Sequence, residues 1–420
     1  MRIAIIGAGV SGLVAAYHLQ REHELFVFER EDWAGGHACT VDVTDGSGKP
    51  LALDVGFLVY NERTYPNFSR LLREIGVPTQ AAPMSFSMRC ERCAREYSSH
   101  GLRTLLGPTV RHWLNVRHLR MVREILRFHQ LGQRWLRQPS PNATLGAFLT
   151  EHAFSEDLRR HYVFPMTAAI WSAPPHSVQL FPLGTYLRFM ENHGLLSVSN
   201  QPQWRTISGG SREYVRRLTA GFAERIFLRT SVRQIRRHAR GIDVQLDHET
   251  VHVDAVVIAT HSDQALRLLA DPTPQEAAAL SAIRYQRNEV VLHTYAGLLP
   301  RKRQLWASWN YHVADCRQEN GALTMTYFIN HLQSLPTTTT FCVSLNSTAN
   351  IPSEHVLRRW WFEHPQFDPK VPPAQATLAQ WNGHRGTYFA GAYLGYGFHE
   401  DGVRAALDVV AAIENRRAAA

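Results

Sequence analysis

The stretch Arg2-Ile3-Ala4-Ile5-Ile6-Gly7-Ala8-Gly9-Val10-Ser11-Gly12 decides the fold. After the initiator-like Met1, five residues give a short run dominated by apolar side chains, as in a fully buried strand. The run ends in G-x-G-x-x-G. Leu13, Ala16, Tyr17 and Leu19 then recur at helical spacing, which predicts a helix over 11–21. A second apolar run, Leu25-Phe26-Val27-Phe28, predicts another buried strand ending at Glu29, 17 residues past Gly12. Together these form a βαβ unit of about 30 residues. Gly7 permits the tight turn, Gly9 lets the backbone approach a pyrophosphate, and Gly12 lets helix and strand pack closely. The helix start, with Ser11 in its first turn, presents free N–H groups and a partial positive charge to phosphates. Glu29, followed by Arg30, is placed to accept hydrogen bonds from ribose hydroxyls. A dinucleotide site follows from this context rather than from the glycines alone.

Composition bounds the rest. The 420 residues predict two to three domains. With 45% apolar and 19% charged residues, the chain reads as globular. It contains no apolar run of 18 residues, so a spanning helix is not expected. Three glycines break the opening apolar stretch and no cleavage site follows, which argues against a signal peptide. Five cysteines are too few and too odd in number for a disulfide framework, so a reducing, cytoplasmic setting is expected. The net charge is +9, and only Lys49, Lys302 and Lys370 are lysines among the 45 basic residues. This balance suits phosphate cofactors or lipid headgroups. No nucleic-acid reader module is present, so nucleic acid is not an expected partner.

The residues after Glu29 separate FAD from NAD. Arg30-Glu31-Asp32-Trp33-Ala34-Gly35-Gly36-His37 supplies a second glycine pair, and Leu53-Asp54-Val55-Gly56-Phe57-Leu58-Val59 follows. Ser231-Val232-Arg233-Gln234-Ile235 reads as a short alternating strand, and Asp254 to Thr260 as a buried one. Thr387-Tyr388-Phe389-Ala390-Gly391-Ala392-Tyr393 precedes a predicted helix from Asp401 to Arg416. In these motifs the chain resembles the flavin-dependent amine oxidase and phytoene desaturase superfamily. The resemblance implies that FAD phosphates lie on Gly36 and His37, where the superfamily usually has Arg in place of His37. It implies that Gly56 and Phe57 run beside the flavin ring, that Val232 reaches adenine, and that Ala259 belongs to the same cradle. It further implies a C-terminal flavin motif at Gly391, Gly402 and Val403, with the helix start pointing at the flavin. Some relatives attach FAD through a cysteine in the stretch matching 391–402. This chain has none there, so non-covalent FAD is expected.

The implied fold is α/β, with a Rossmann-like FAD-binding domain that is discontinuous in sequence and carries an inserted α+β substrate domain. Residues 1–80, 200–270 and 375–420 are assigned to the first, and 81–199 and 271–374 to the second. Longer motifs, including Tyr60-Asn61-Glu62-Arg63 and Phe164-Pro165-Met166-Thr167, resemble a bacterial branch whose members often accompany cyclopropane-fatty-acid-synthase-like methyltransferases. That branch implies dehydrogenation of an apolar lipid or methylated fatty acyl chain by hydride transfer to flavin. The alternative is an amine oxidase producing imine and hydrogen peroxide. Oxygen, a quinone and a carrier protein all remain compatible as electron acceptor.

The chemistry-bearing candidates cluster near the C-terminal motif. Tyr396 and His399 are the catalytic candidates, His399 as a proton relay, with packing and a helix-start hydrogen bond as the competing readings. Trp171, Trp309, Asn310, Tyr393 and Phe398 are candidates to line the substrate path. Many amine oxidases place a lysine near the flavin, whereas Lys302 here lies in a basic turn. Residues 101–138 hold eight arginines against one acid, Glu124, interleaved with apolar residues that include Trp113 and Trp135. This reads as amphipathic basic helix, either packed inward or lying peripherally on an anionic inner-membrane surface. Cys90-Glu91-Arg92-Cys93 lacks two further ligands at a suitable spacing nearby, so no metal site is expected.

Overall fold

The computed structural model describes residues 1–107, 109, 114–140, 142–197, 201–317 and 324–418. Its first unit is a parallel sheet in the order Ile226–Phe227, Glu24–Phe28, Arg2–Ile6, Ala255–Ile258, Thr387–Phe389. Both faces of this sheet are covered, which is why its central strands read as near-continuous apolar runs. Ile3, Ile5, Ala255 and Val257 share a core with Leu13 and Ala15 of helix Val10–Leu19 and Val409 of helix His399–Ala418. Ala4, Ile6, Val256 and Ile258 point the other way, onto Ile235, Ile242 and Val244. Those residues belong to an antiparallel meander, Gln234–His238, Gly241–Gln245 and Thr250–Val253.

The second sheet has seven strands, in the order Val356–Gln366, Arg284–His293, Cys342–Leu345, Met325–Phe328, Trp309–Val313, Phe86–Cys90, Arg95–Ser98. Its pairs are antiparallel except Trp309–Val313 with Phe86–Cys90. Residues of helices Val116–Arg137, Leu145–Glu151, Phe164–Trp171 and Leu183–Asn192 share a core with this sheet. The chain leaves the first unit after Thr79–Ala81 and returns through Trp204–Ile207, and these two strands pair with each other.

Several boundaries differ from expectation. The strand expected over 231–235 starts only at Gln234, and Val232 lies in the lead-in. The C-terminal helix begins at His399, two residues before Asp401. Asp401 caps this start by accepting from the Phe398 N–H at 3.0 Å. Glu400 serves a different helix: it accepts from the backbone N–H groups of Asn67 and Phe68, at the start of Pro66–Glu74. The basic segment resolves into a short helix, Leu102–Leu105, and a long one, Val116–Arg137. Met121, Ile125 and Phe128 of the long helix face inward. Trp135 is half-buried and packs partly against the core, and Arg111 and Trp113 lie outside the described residues. No helix among the described residues is long and apolar enough to cross a membrane.

Candidate active site

One continuous cavity of about 1390 Å³ runs between the two sheets. At one end it is walled by Gly7, Gly9, Ser11, Glu29 and Arg30, and farther in by Gly36, His37, Gly56 and Phe57. Val232, Ala259 and Gly391 complete this half. The glycines there differ sharply in what they do. A Cβ on Gly12 would lie 1.9 Å from the Gly7 carbonyl oxygen, so Gly12 is required by packing alone. A Cβ on Gly9 would meet nothing within 4 Å, so the space above Gly9 is open. Gly9 precedes helix Val10–Leu19, and no side chain caps that helix start. Its first N–H groups, unclaimed by any side chain, therefore present the right polarity for phosphate. The Gly35 N–H donates to the Ala8 carbonyl at 2.7 Å, which sets Gly36 beside Gly9. Glu29 is fixed at the turn, accepting from the Ala8 and Glu31 N–H groups at 2.8 and 3.0 Å.

The C-terminal motif closes on this turn. A Cβ on Gly402 would stand 2.8 Å from both Ser11 Oγ and Val10 Cγ1, so the two ends of the chain are in direct contact. Gly12, Gly402 and Val403 are not among the residues that line the cavity: the two glycines pack against the turn, Gly12 as its packing role requires, and Val403 lies in the core beside it. Gly397, Phe398 and His399, at the start of the C-terminal helix, do line the cavity.

The remaining candidates sort by geometry. His399 stacks on Phe57 with ring centroids 3.7 Å apart, and its Nε2 lies 3.1 Å from the Tyr214 hydroxyl. Burial pushes its imidazole down to about 3, so it is neutral. A neutral, stacked and hydrogen-bonded ring positions its neighbours better than it relays protons. Tyr396 is not on the cavity wall; its carbonyl instead accepts from Trp171 Nε1 at 3.0 Å. Trp171, Phe189 and Phe398 form an aromatic wall, with Trp171 to Phe189 at 4.7 Å and Phe189 stacked on Phe398 at 4.8 Å. Asn310 is also off the path. It is 1% exposed, accepts from Ser87 Oγ and the Ala307 N–H, and donates to the Ala307 and Thr326 carbonyls. Trp309 and Tyr393 line the cavity, and both carry buried polar atoms without a protein partner. So does His37, at Nε2.

His37 turns its ring onto Phe362 and His364, at 4.8 and 5.4 Å, and burial holds it neutral with a pKa of about 4. It therefore sits at the glycine pair as an uncharged group. Phe362, His364 and the His129–Tyr162 pair on the wall escaped the sequence reading because they come from a distant strand and helices. Cys90 and Cys93 are not isolated either: Cys316 and His161 bring their ligand atoms within 4.8 Å of both. The three lysines are exposed, and none lies on the cavity wall.

The model of the flavin containing amine oxidoreductase family matches residues 10–414. The chain belongs to that family. This oxidoreductase is 26% identical over 283 residues to the Mycobacterium tuberculosis protein named for a flavin-containing monoamine oxidase, AofH. That match covers 64% of this chain and 59% of the relative, so it spans about three-fifths of the relative's length. Among solved structures, cyclohexylamine oxidase from Brevibacterium oxydans superposes with a TM-score of 0.70 at 17% identity, covering 99% of each chain. A fatty acid isomerase from P. acnes superposes with a TM-score of 0.69 at 16% identity, covering 98% of each. Both show the same fold. The enzyme is FAD-dependent, and its cradle fits that cofactor: open space over Gly9, an uncapped helix start, and orphaned polar atoms on Tyr393 and His37.

Two predictions follow from this site. Gly9→Ala should leave stability within about 0.5 kcal/mol of the parent, yet weaken flavin binding about tenfold or more, about 1.4 kcal/mol. Gly12→Ala should destabilise the fold by about 1–3 kcal/mol or more. Flavin absorbance per chain and urea unfolding read the two effects separately. The second concerns pH. Burial holds His37, His129, His193 and His293 at about 4, and His364 and His399 at about 3. It pushes Asp54 and Asp401 up to about 6. The histidines stabilise above their unfolded value and lose that contribution as pH falls. The aspartates stabilise below theirs and lose it as pH rises. At pH near 5, unfolding protonates about six imidazoles and deprotonates about two carboxyls, a net uptake of about four protons. Stability of the FAD-loaded enzyme should therefore rise with pH between roughly 4.5 and 6.5. A flat profile of unfolding free energy against pH would contradict it.

Proposed function

We propose that this oxidoreductase dehydrogenates an apolar acyl chain drawn from a lipid surface. The observation that carries this reading is the character of the cavity beyond the glycine turn. Its wall there is built from Leu105, Val122, Ile125, Met166, Ile170 and the Trp171–Phe398 aromatic group. The carboxylates on the wall are Glu29, Glu31 and Glu363. Glu29 and Glu31 lie at the glycine turn, and Glu363 is paired with His261 at 3.2 Å, two residues past Ala259. A primary amine is an ammonium ion at neutral pH, with a pKa near 10. Moving it into the apolar half without a carboxylate is costly, whereas an acyl chain gains by burial. The fold itself does not discriminate, being shared with an amine oxidase and with a fatty acid isomerase.

FAD, when bound, would supply the acceptor for the two electrons and two protons removed from adjacent carbons, so that the double bond formed is balanced by reduced flavin. The chain's own residues supply position and dryness. His399, locked between Phe57 and the Tyr214 hydroxyl, holds the helix start against the cavity. The Tyr396 carbonyl holds Trp171 in the aromatic wall. Anaerobic mixing of the yellow holoenzyme with phospholipid carrying methylated unsaturated chains should bleach the flavin. Bleaching by a primary amine, with none by lipid, would replace this reading with amine oxidation.

The cavity mouth supports access from a bilayer. Leu102 and Leu126 line the cavity and are 70% and 48% exposed. Leu126 continues a helical stripe through Leu119 and Val116, 41% and 78% exposed. Exposed Arg117, Arg120, Arg123 and Arg127 flank that stripe, a pattern complementary to anionic headgroups. Arg-to-Gln replacement at these four positions, or Leu119→Glu with Leu126→Glu, should abolish co-sedimentation with anionic vesicles at low salt. Unchanged sedimentation would remove the membrane route.

A further inference from the structure

Far from the cofactor cradle, three segments distant in sequence converge on one point. Cys90 ends strand Phe86–Cys90, and Cys93 lies in the turn before Arg95–Ser98. Ala94, directly after Cys93, takes a left-handed φ of 52°, which tightens this turn. The Glu91 and Arg92 N–H groups donate to the Val313 and Ala314 carbonyls, so the turn is knitted to the chain that leads into Cys316. Strand Trp309–Val313 runs parallel to Phe86–Cys90 with Val313 opposite Cys90, which brings Cys316 to the same end of the sheet. His161 arrives from the other side, in the middle of a π-helical turn, Arg159–Val163. The three sulfurs and a ring nitrogen of His161 all lie within 4.8 Å of one another.

We propose that Cys90, Cys93, Cys316 and His161 Nε2 form a structural Zn²⁺ site. A tetrahedron with Zn–S bonds of about 2.3 Å and a Zn–N bond of about 2.0 Å has sulfur–sulfur edges of about 3.8 Å and sulfur–nitrogen edges of about 3.5 Å. The Cys93 Sγ to His161 Nε2 separation is 3.4 Å, already near such an edge. Cys90 and His161 are 1% and 3% exposed, while Cys93 is exposed and Cys316 half-buried, so the site is anchored inside and reachable from solvent. Three thiolates with one imidazole match the preference of zinc, and four protein ligands leave no open position, which makes the site structural. No disulfide competes for these sulfurs.

The surroundings suit a ligating imidazole. His161 Nδ1 lies 3.1 Å from the Asp157 carbonyl and 3.6 Å from its carboxylate, the acceptors that direct Nε2 toward a metal. Arg95 Nη1 stands 2.9 Å from Nδ1 and 3.4 Å from the Asp157 carboxylate. Arginine only donates, so metal binding at Nε2, which puts the proton on Nδ1, moves Arg95 fully onto Asp157. The Tyr97 hydroxyl donates to the His161 carbonyl at 2.6 Å and fixes the π-turn to the sheet. Tyr162 and Met166, just beyond His161, line the cavity. Zinc here would therefore staple the edge of the seven-stranded sheet to the helix that carries one wall of the active site.

The test uses FAD-loaded full-length enzyme purified without chelator. Elemental analysis should find one zinc per chain. Cys316→Ser and Cys93→Ser should reduce it to background, while Cys39→Ser and Cys342→Ser keep it. Co²⁺ exchanged into the parent enzyme should give the intense d–d absorption of tetrahedral thiolate-bound cobalt, a readout that needs no variant to fold. Absence of that band after incubation with excess Co²⁺ would overturn the site. So would zinc retained in Cys316→Ser, or a Cys90–Cys93 disulfide found by mass spectrometry in the freshly purified enzyme.

Discussion

The cradle in this enzyme rests on two glycines, one against backbone and one against side chains, whose surroundings leave no room for a Cβ. Gly12 meets the Gly7 carbonyl, and Gly402 meets Val10 and Ser11. The first contact sets the angle at which helix Val10–Leu19 leaves the sheet. The second seats the start of the C-terminal helix beside it. Neither glycine need touch the cofactor. Their effect is to leave the start of helix Val10–Leu19 facing open space with its N–H groups unclaimed by side chains, while Asp401 caps the start of the C-terminal helix beside it. The open position over Gly9 exists because its neighbours are locked.

The same close packing determines where charge is allowed. The stretch of wall built from Leu105, Val122, Ile125, Met166, Ile170 and the Trp171–Phe398 group is apolar, while Arg233, Arg267, Arg287 and Glu363 also line the cavity. His37 and His399 are held uncharged by burial, and no lysine reaches the cavity. Glu29, Arg30 and Glu31 stand at the nucleotide end, and the outer helix carries exposed arginines. Such a division favours a cofactor with a polar tail and a substrate with a greasy one. It also means that the interior must be dry for the histidines to remain neutral, and acid is expected to attack the protein there first.

How much of this was legible depended on how local each signal was. The βαβ unit is contiguous, and its glycines, strand and ribose acid could be read directly. The glycine pair at Gly35–Gly36 and the C-terminal helix were readable through motif resemblance. Side-chain direction was not. Asn310 lies among aromatic residues in sequence, but strand pairing turns its amide into the sheet. Tyr396 contributes its carbonyl rather than its ring. Trp135 is divided between the two readings of the basic helix, half-buried against the core and half-exposed. A period-two strand, or a helix face, is fixed by partners that the local sequence does not name.

The cysteine cluster is the sharpest case. Two of its members are three residues apart and visible at once, while His161 and Cys316 lie on separate elements far along the chain. What brings Cys316 to the Cys90–Cys93 turn is a parallel pairing between strands more than two hundred residues apart, a contact no local sequence signal announces. That pairing also places Ser85, Ser87 and Ser308 in one buried polar seam with Asn310. The edge of the seven-stranded sheet is thus held by groups that satisfy one another only in the folded state. The π-turn with Tyr162 and the helix that follows it, with Met166 and Trp171, lean on that edge at one end and on the C-terminal motif, through the Tyr396 carbonyl, at the other. The wall of the cavity is therefore clamped between the substrate sheet and the flavin cradle, and its shape depends on both.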